Sequence, residues 1–150
     1  NKEEGLYTRM KILYPNRATL HRNLVRDEAR FANHEQIGRW YEEISDESDD
    51  VAETGIALGY REPSISEAVL AFSGDVLATE PRGLDETYRM ILGYFRELTG
   101  MMHAAEAIVP ANVQNKLQEY EYGWNKEANF KLAAALGERA QGGRMAYDDD

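Results

Sequence analysis

The chain has 150 residues, a formal net charge of -10 and no cysteine. This length suits one domain with one hydrophobic core, and the absence of cysteine excludes disulfides, thiolate catalysis and cysteine-ligated metals. The longest apolar runs, of about four residues, fall far short of the roughly twenty that span a bilayer. We therefore expect a soluble protein without a membrane span, in the cytoplasm or within a particle.

The acidic charge is concentrated in the middle of the chain. Residues 41–86 contain two Lys or Arg against thirteen Asp or Glu, whereas residues 1–40 contain eight against five. An acidic protein repels nucleic-acid phosphates at long range, which argues against nucleic-acid binding by the chain as a whole. The basic N-terminal third leaves local binding open.

The first elements are predicted from the spacing of apolar residues. Residues 1–15 are expected to form an N-terminal arm, because a short apolar patch ends at Pro15. Leu20, Leu24 and Phe31 share one helix face and predict a first helix over about 18–32. Residues 16–141 are expected to form a single helical domain, and residues 142–150 a flexible acidic tail.

Two modest helices are predicted to follow. The apolar stripe from Ile37 to Ile44 indicates an amphipathic helix that ends near Ser45. The acidic run behind it is expected to be a solvated loop. Ser64 and Glu67 have the spacing of a capping box, which predicts a third helix.

The strongest pattern is an apolar seam in the second half of the chain, with spacings that alternate between four and three residues over nearly four heptads. The seam consists of Leu84, Tyr88, Ile91, Phe95, Leu98, Met102, Ala105 and Val109. It predicts a long helix over about 84–109, which Pro110 either kinks or ends in a hairpin, and a second helix over about 112–136. After Trp124 the spacing changes to four, which resembles a stutter.

These patterns together predict an all-α fold. It is a helical bundle with a long helical pair (about 84–109 and 112–136), three shorter helices and an extended N-terminal arm. The pair is expected to bind a protein partner or a second copy of the chain, because the seam is longer than one small core requires.

Catalytic and metal-binding motifs are incomplete. His34 and Glu35 begin a zinc-protease pattern, but Gly38 stands where the second histidine is needed. Neither Glu97 nor Glu106 is followed by a histidine three residues later, as helical di-iron sites require. We therefore predict no catalytic, cofactor-binding or metal-binding residue, no cofactor and no enzymatic activity.

Charged and aromatic residues are the candidates for binding a partner. Arg22, Arg26 and Arg30 stand four residues apart, and like charges at that spacing on a helix repel. The three arginines therefore favour an anionic partner, which is either the acidic run of residues 42–50 or the surface of another molecule. The acidic run could hold a basic protein surface or mimic nucleic-acid charge, and exposed tyrosine is common at interfaces. The candidates are Arg22, Arg26, Arg30, Glu42, Glu43, Asp46, Glu47, Asp49, Asp50, Tyr94 and Tyr122.

One short stretch carries a family resemblance. Residues 6–9 (Leu-Tyr-Thr-Arg) and 25–30 (Val-Arg-Asp-Glu-Ala-Arg) resemble the start of the Leu-Tyr-Arg family of mitochondrial assembly factors, which are small three-helix proteins with a basic face. Thr8 interrupts the triad, and the acidic middle departs from the pattern. We assign the chain to no family on these residues.

Three classes of function remain open. The favoured one is a non-catalytic helical subunit or adaptor that acts through protein–protein contacts in a larger assembly, such as a phage or viral particle. The alternative is a nucleic-acid-associated protein, which acts either as an acidic mimic and inhibitor or through the arginine-lined first helix. The third is an enzyme that uses carboxylates and His103 without a recognisable motif.

Overall fold

A computed structural model describes residues 2–24 and 31–137 of the chain. The described residues form six α-helices and no strand, which confirms the all-α fold class. The chain divides into two compact units, Asn1–Leu84 and Asp85–Asp150. The helices are α1 (Lys2–Arg22), α2 (Phe31–Ala57), α3 (Ile65–Ala71), α4 (Leu84–Ala105), α5 (Ala111–Lys126) and α6 (Ala133–Leu136).

Helix α1 is the central element of the first unit, where it packs against α2 and α3. All five residues from Leu6 to Met10 are buried, so this part of the helix is covered on every side. The predicted arm over residues 1–15 is therefore wrong. A helix buried all round lacks the one-sided apolar stripe by which helices are recognised, and Pro15 lies inside the helix rather than after it.

Buried polar side chains tie α1 to its neighbours. The Arg17 guanidinium has no exposed surface and donates from Nη1 to the Trp40 carbonyl oxygen of α2 at 3.1 Å. Asn16 donates from Nδ2 to the Asp75 carbonyl oxygen at 2.7 Å and accepts from the Leu77 N–H at 3.0 Å. These hydrogen bonds take the place of the bonds to water that the polar groups lose on burial, which would otherwise cost stability. They also hold the segment after α3 against α1.

The helix predicted over residues 18–32 does not form as one element. Helix α1 ends at Arg22, and Leu24 makes an isolated bridge with Arg82. The Arg82 N–H donates to the Asn23 carbonyl oxygen at 3.0 Å. Residues 25–30 lie outside the described residues, and the next helix begins at Phe31.

Helix α2 continues through the acidic run that was expected to be a loop. The predicted end near Ser45 is wrong, because the helix extends to Ala57. The buried stripe repeats at heptad spacing through Ile37, Ile44 and Val51. Most acidic side chains of the run fall between these positions and point to solvent, where a helix tolerates charge.

The second unit contains a helical hairpin. Helix α4 passes into a short 3₁₀ turn (Glu106–Ile108), and Val109 and Pro110 then have extended backbone with ψ of 157° and 160°. The ring centroids of Phe95 and Trp124 lie 4.5 Å apart across the hairpin. Of the two alternatives for Pro110, the structure shows the hairpin.

A π-helical segment, Glu127–Leu132, explains the change of spacing after Trp124. In π-helix each N–H bonds the carbonyl five residues back, so the chain turns through a smaller angle per residue than in α-helix. Positions four apart then stay on one face, and Trp124, Ala128 and Leu132 are all buried.

The heptad seam of α4 is covered in a single copy of the chain. Ile91, Phe95, Leu98, Met102 and Ala105 have no exposed surface, and Val109 is 8% exposed. The premise that this seam needs a second surface is therefore not met. Within the described ranges, no helix combines the length and apolar character needed to cross a membrane.

Candidate functional site

The acidic residues of α2 form a continuous row on its outer face. We define the acidic stripe as Glu42, Asp46, Asp49 and Glu53, which are all exposed. Their spacings of four, three and four residues place them on one side of the helix, over a length of roughly 16 Å. The other predicted acids lie beside this row: Glu43 is exposed, whereas Glu47 and Asp50 are half-buried.

Among the side chains that the structure describes, no lysine or arginine forms an ion pair with the stripe, although the charge of Glu42 acts on His21. Ion pairs of the first unit form elsewhere, such as Arg9 with Asp75 at 2.9 Å and Arg61 with Glu67 at 2.7 Å. Neighbouring carboxylates three or four residues apart on a helix repel each other. The stripe is thus a row of negative charges whose positions are set by a helix rather than by a loop.

A cleft of about 370 Å³ opens next to the stripe, where α1, α2 and α3 approach each other. Tyr14 is 39% exposed and Asp49 belongs to the stripe, so an aromatic face and a carboxylate meet at the opening. Cationic side chains bind favourably over aromatic faces. The residues that line the cleft include Tyr7, Lys11, Tyr14, Ser45, Ser48, Asp49 and Ile65.

The structure describes only some of the predicted basic and aromatic candidates. Arg22 is exposed in the last turn of α1, whereas Arg26 and Arg30 lie outside the described residues. Tyr94 on α4 is half-buried, and Tyr122 on α5 is 72% exposed. A basic face and a tyrosine-rich interface therefore stay predictions.

Two of the three histidines meet in the first unit. The ring centroids of His21 and His34 lie 3.9 Å apart. Burial, followed by the charge of His34, lowers the pKa of His21. A side chain at Gly38 would collide with the His21 ring, since its Cβ would lie 2.8 Å from Cε1. Gly38 thus makes room for a neighbouring histidine instead of replacing a zinc ligand.

The third histidine belongs to a polar cluster at the hairpin of the second unit. His103 comes from the last turn of α4, Glu106 from the 3₁₀ turn and Glu121 from α5. The His103 Nδ1 atom lies 2.8 Å from Glu106 Oε2 and 3.6 Å from Glu121 Oε1. One ligand atom from each residue fits within a separation of 4.8 Å, which is close enough for the three to share one cation.

Burial changes the protonation of Glu121 in this cluster. Glu106 is only 8% exposed, and the Glu121 side chain is 15% exposed. Desolvation, followed by the hydrogen bond and charge of Glu106, raises the pKa of Glu121 to about 7, although His103 opposes the shift. Near neutral pH Glu121 therefore retains a proton for part of the time, which an exposed glutamate would release.

The sequence predicts no metal ligand, because it lacks the Glu-x-x-His order of helical di-iron sites. In this cluster the order is His103 and then Glu106, and Glu121 comes from the next helix. The available signal was the His-x-x-Glu spacing directly before Pro110. Only the hairpin, whose register the sequence leaves open, brings residue 121 back to residue 103.

Comparisons of this chain with protein-family models, with curated proteins and with solved structures find no significant match.

Proposed function

We propose that this chain is a helical interaction module that binds a basic surface of a partner protein through the acidic stripe of α2. The observation that carries the proposal is the exposed row of four carboxylates on a continuous helix, without an ion pair among the described side chains. This role keeps the adaptor class expected from the sequence and, of the binding surfaces predicted there, uses the acidic residues rather than the seam.

Electrostatics favour a cationic partner. Each like-charged pair at helical spacing costs roughly 0.2–0.5 kcal/mol in the free protein, and contact with Lys or Arg would relieve that repulsion. The net charge of -10 also attracts a basic protein at long range and speeds the encounter.

The cleft beside the stripe adds a place for a single side chain to insert. Its opening combines the Tyr14 ring with the Asp49 carboxylate. An inserted lysine or arginine would meet a ring face and a negative charge together, and pockets of this kind supply much of the affinity in protein interfaces. The rest of the stripe would then fix the orientation of the partner.

Self-association through the helices predicted at 84–109 and 112–136 has less support than the stripe, because most side chains of the seam are buried in one copy of the chain, and only Leu84 and Tyr88 are half-buried. Direct nucleic-acid binding rests on three arginines of which only Arg22 is described. A mimic of nucleic-acid charge would use the same stripe against the same basic surface, and competition by duplex DNA for a captured partner tests that version.

The test is binding of a fluorescent lysine-rich helical peptide, measured by anisotropy over a range of salt concentrations. Neutralising the stripe by Glu42→Gln, Asp46→Asn, Asp49→Asn and Glu53→Gln should weaken binding about tenfold or more, equivalent to roughly 1.4 kcal/mol. A matched control removes four exposed acids elsewhere and should weaken binding less than about threefold. The control substitutions are Asp85→Asn, Glu86→Gln, Glu97→Gln and Glu119→Gln.

Equal losses in the two variants would mean that net charge alone attracts the peptide, and the proposal for the stripe would be rejected. A second measurement replaces Tyr14 by Ala in the otherwise native chain. Loss of affinity at high salt, where long-range attraction is screened, would assign the insertion to the cleft.

A further inference from the structure

Two buried carboxylate oxygens at the hairpin lack any donor. Glu106 Oε1 and Glu121 Oε2 are both shielded from solvent, and neither accepts a hydrogen bond from the residues that the structure describes. A buried acceptor without a donor costs about 1–3 kcal/mol, and more when it is charged. A cation between the two carboxylates would remove that cost, because it would interact with the lone pairs of both.

We propose that His103, Glu106 and Glu121 form a binding site for a divalent transition-metal ion of the Zn²⁺ class. The site joins one imidazole nitrogen and two carboxylates from three consecutive elements of one hairpin. It is independent of the acidic stripe and of the function proposed for it.

The dimensions of the cluster fit such an ion. Bonds of about 2.0–2.2 Å from zinc to nitrogen or oxygen, in tetrahedral geometry, place ligand atoms roughly 3.3–3.6 Å apart. The separations from His103 Nδ1 are 2.8 Å to Glu106 Oε2 and 3.6 Å to Glu121 Oε1. All three ligand atoms lie within 4.8 Å of one another, so the ion would require rotation of the carboxylates but no change in the backbone of the hairpin.

The ligand set decides the class of metal. Imidazole suits Zn²⁺ and other late transition metals, whereas Mg²⁺ and Ca²⁺ prefer oxygen ligands alone. The two carboxylates balance the charge of a divalent ion. Three protein ligands leave a fourth position for water, as in zinc sites with an open coordination position.

The surroundings favour a defined site with an open entrance. Gln114 donates from Nε2 to the Glu106 carbonyl oxygen at 2.7 Å, so α5 holds the backbone of the 3₁₀ turn that carries Glu106. Glu106 is fixed and buried, while the His103 side chain is 80% exposed. An ion can thus enter from solvent on the side of His103 and meet carboxylates that are already in place.

The test is calorimetric titration of Zn²⁺ into the untagged full chain after treatment with EDTA. We expect one bound ion, with affinity lowered at least tenfold by Glu106→Gln, by Glu121→Gln and by His103→Ala. Gln keeps the shape of Glu, so the first two variants should fold, and melting curves in EDTA confirm it. Glu97→Gln, an exposed acid on α4, and His34→Ala, an exposed histidine on α2, serve as matched controls and should change the affinity less than twofold.

A second measurement follows thermal unfolding. Zn²⁺ should raise the melting temperature of the native chain but not of Glu106→Gln, because binding to the folded state alone stabilises it. Equal binding by the native chain and all three ligand variants would assign the ion to other surface groups and overturn the proposal. Binding of Mg²⁺ as tight as that of Zn²⁺ would also overturn it, since the imidazole would then contribute nothing.

Discussion

Helices α2 and α4 carry rows of residues with the same alternation of four and three, and the two rows have opposite surroundings. On α4 the row is apolar, and five of its members have no exposed surface. On α2 the acidic stripe repeats at the same period and is exposed along its length. The period therefore identifies a helix face, whereas the chemistry of that face decides whether protein or solvent covers it.

The structure reverses what the sequence predicted for the surroundings of the two rows. A long apolar seam was expected to need an outside partner, and the acidic run was expected to be a loop. Apolar surface is the part of a chain that folding covers first, because its burial contributes about 25 cal/mol per Å². A charged row gains nothing from burial and stays available for a partner.

The largest expected effect is a loss of stability when a buried side chain of the apolar seam is shortened. Phe95 is fully buried against Trp124, so Phe95→Ala should lower the free energy of unfolding by about 3–5 kcal/mol through lost burial and a residual cavity. Leu70→Ala is the matched control, since Leu70 is 79% exposed and its truncation should change stability by less than about 0.5 kcal/mol. Urea denaturation of the isolated chain measures both.

Similar losses for these two variants would contradict the comparison between the rows. If the loss of unfolding free energy in Phe95→Ala grows as the protein is diluted, the seam is an interface between copies of the chain. If the same chain covers the seam, the loss should not depend on protein concentration.

The second effect concerns acids that are buried rather than exposed. The folded pKa of Glu121 is raised from 4.5 to about 7, so its contribution to stability is fully present below about pH 4.5 and is lost as the pH rises through 7. Between pH 5 and pH 8, in EDTA, the free energy of unfolding of the native chain should fall by about 1–2 kcal/mol more than that of Glu121→Gln. This figure is smaller than the full pKa shift implies, because solvent near exposed His103 screens the charges. Urea denaturation at the two pH values measures the difference.

The imidazole is checked separately. His103 opposes the raised pKa of Glu121, so the loss between pH 5 and pH 8 should persist in His103→Ala. Parallel pH profiles for the native chain and Glu121→Gln would show that the pKa of Glu121 is not raised in the folded protein.

The fold class could be predicted from the sequence because amphipathic spacing and caps are local properties. Ser64 accepts from the Glu67 N–H at 3.1 Å, as the capping box requires, and the register change after Trp124 marks the π-helical segment. Helix α1 could not be recognised in this way, since burial of Leu6 through Met10 on all sides removes the one-sided pattern.

The candidate site was harder to predict, and for a different reason. The acids of the stripe were identified as residues, but their arrangement depended on whether α2 continued past Ser45. The heptad positions Ile44 and Val51 contained that information, while the density of charge suggested a loop. The cluster at the hairpin depends on long-range register, because nothing local to Glu121 indicates that it will meet His103.

The smallest expected effect is a gain of stability when the acidic stripe is neutralised, and it bears most directly on the proposed function. Neutralising Glu42, Asp46, Asp49 and Glu53 removes the three like-charged neighbour pairs within the stripe, which alone should raise the free energy of unfolding by about 0.5–1.5 kcal/mol. Salt at 0.5 M should reduce the gain, because it screens exposed charges. Urea denaturation at low and high salt measures it.

The control variant for this gain of stability is expected to lose stability instead. Asp85 and Glu86 lie in the first turn of α4, where negative charge stabilises the helix, so Asp85→Asn with Glu86→Gln should lower stability by about 0.3–1 kcal/mol per residue. A loss of stability in the stripe variant as well would mean that the stripe acids make stabilising contacts within the chain. A gain would mean that the free protein bears repulsion that a basic partner would relieve, which is the expected property of a surface selected for binding rather than for folding.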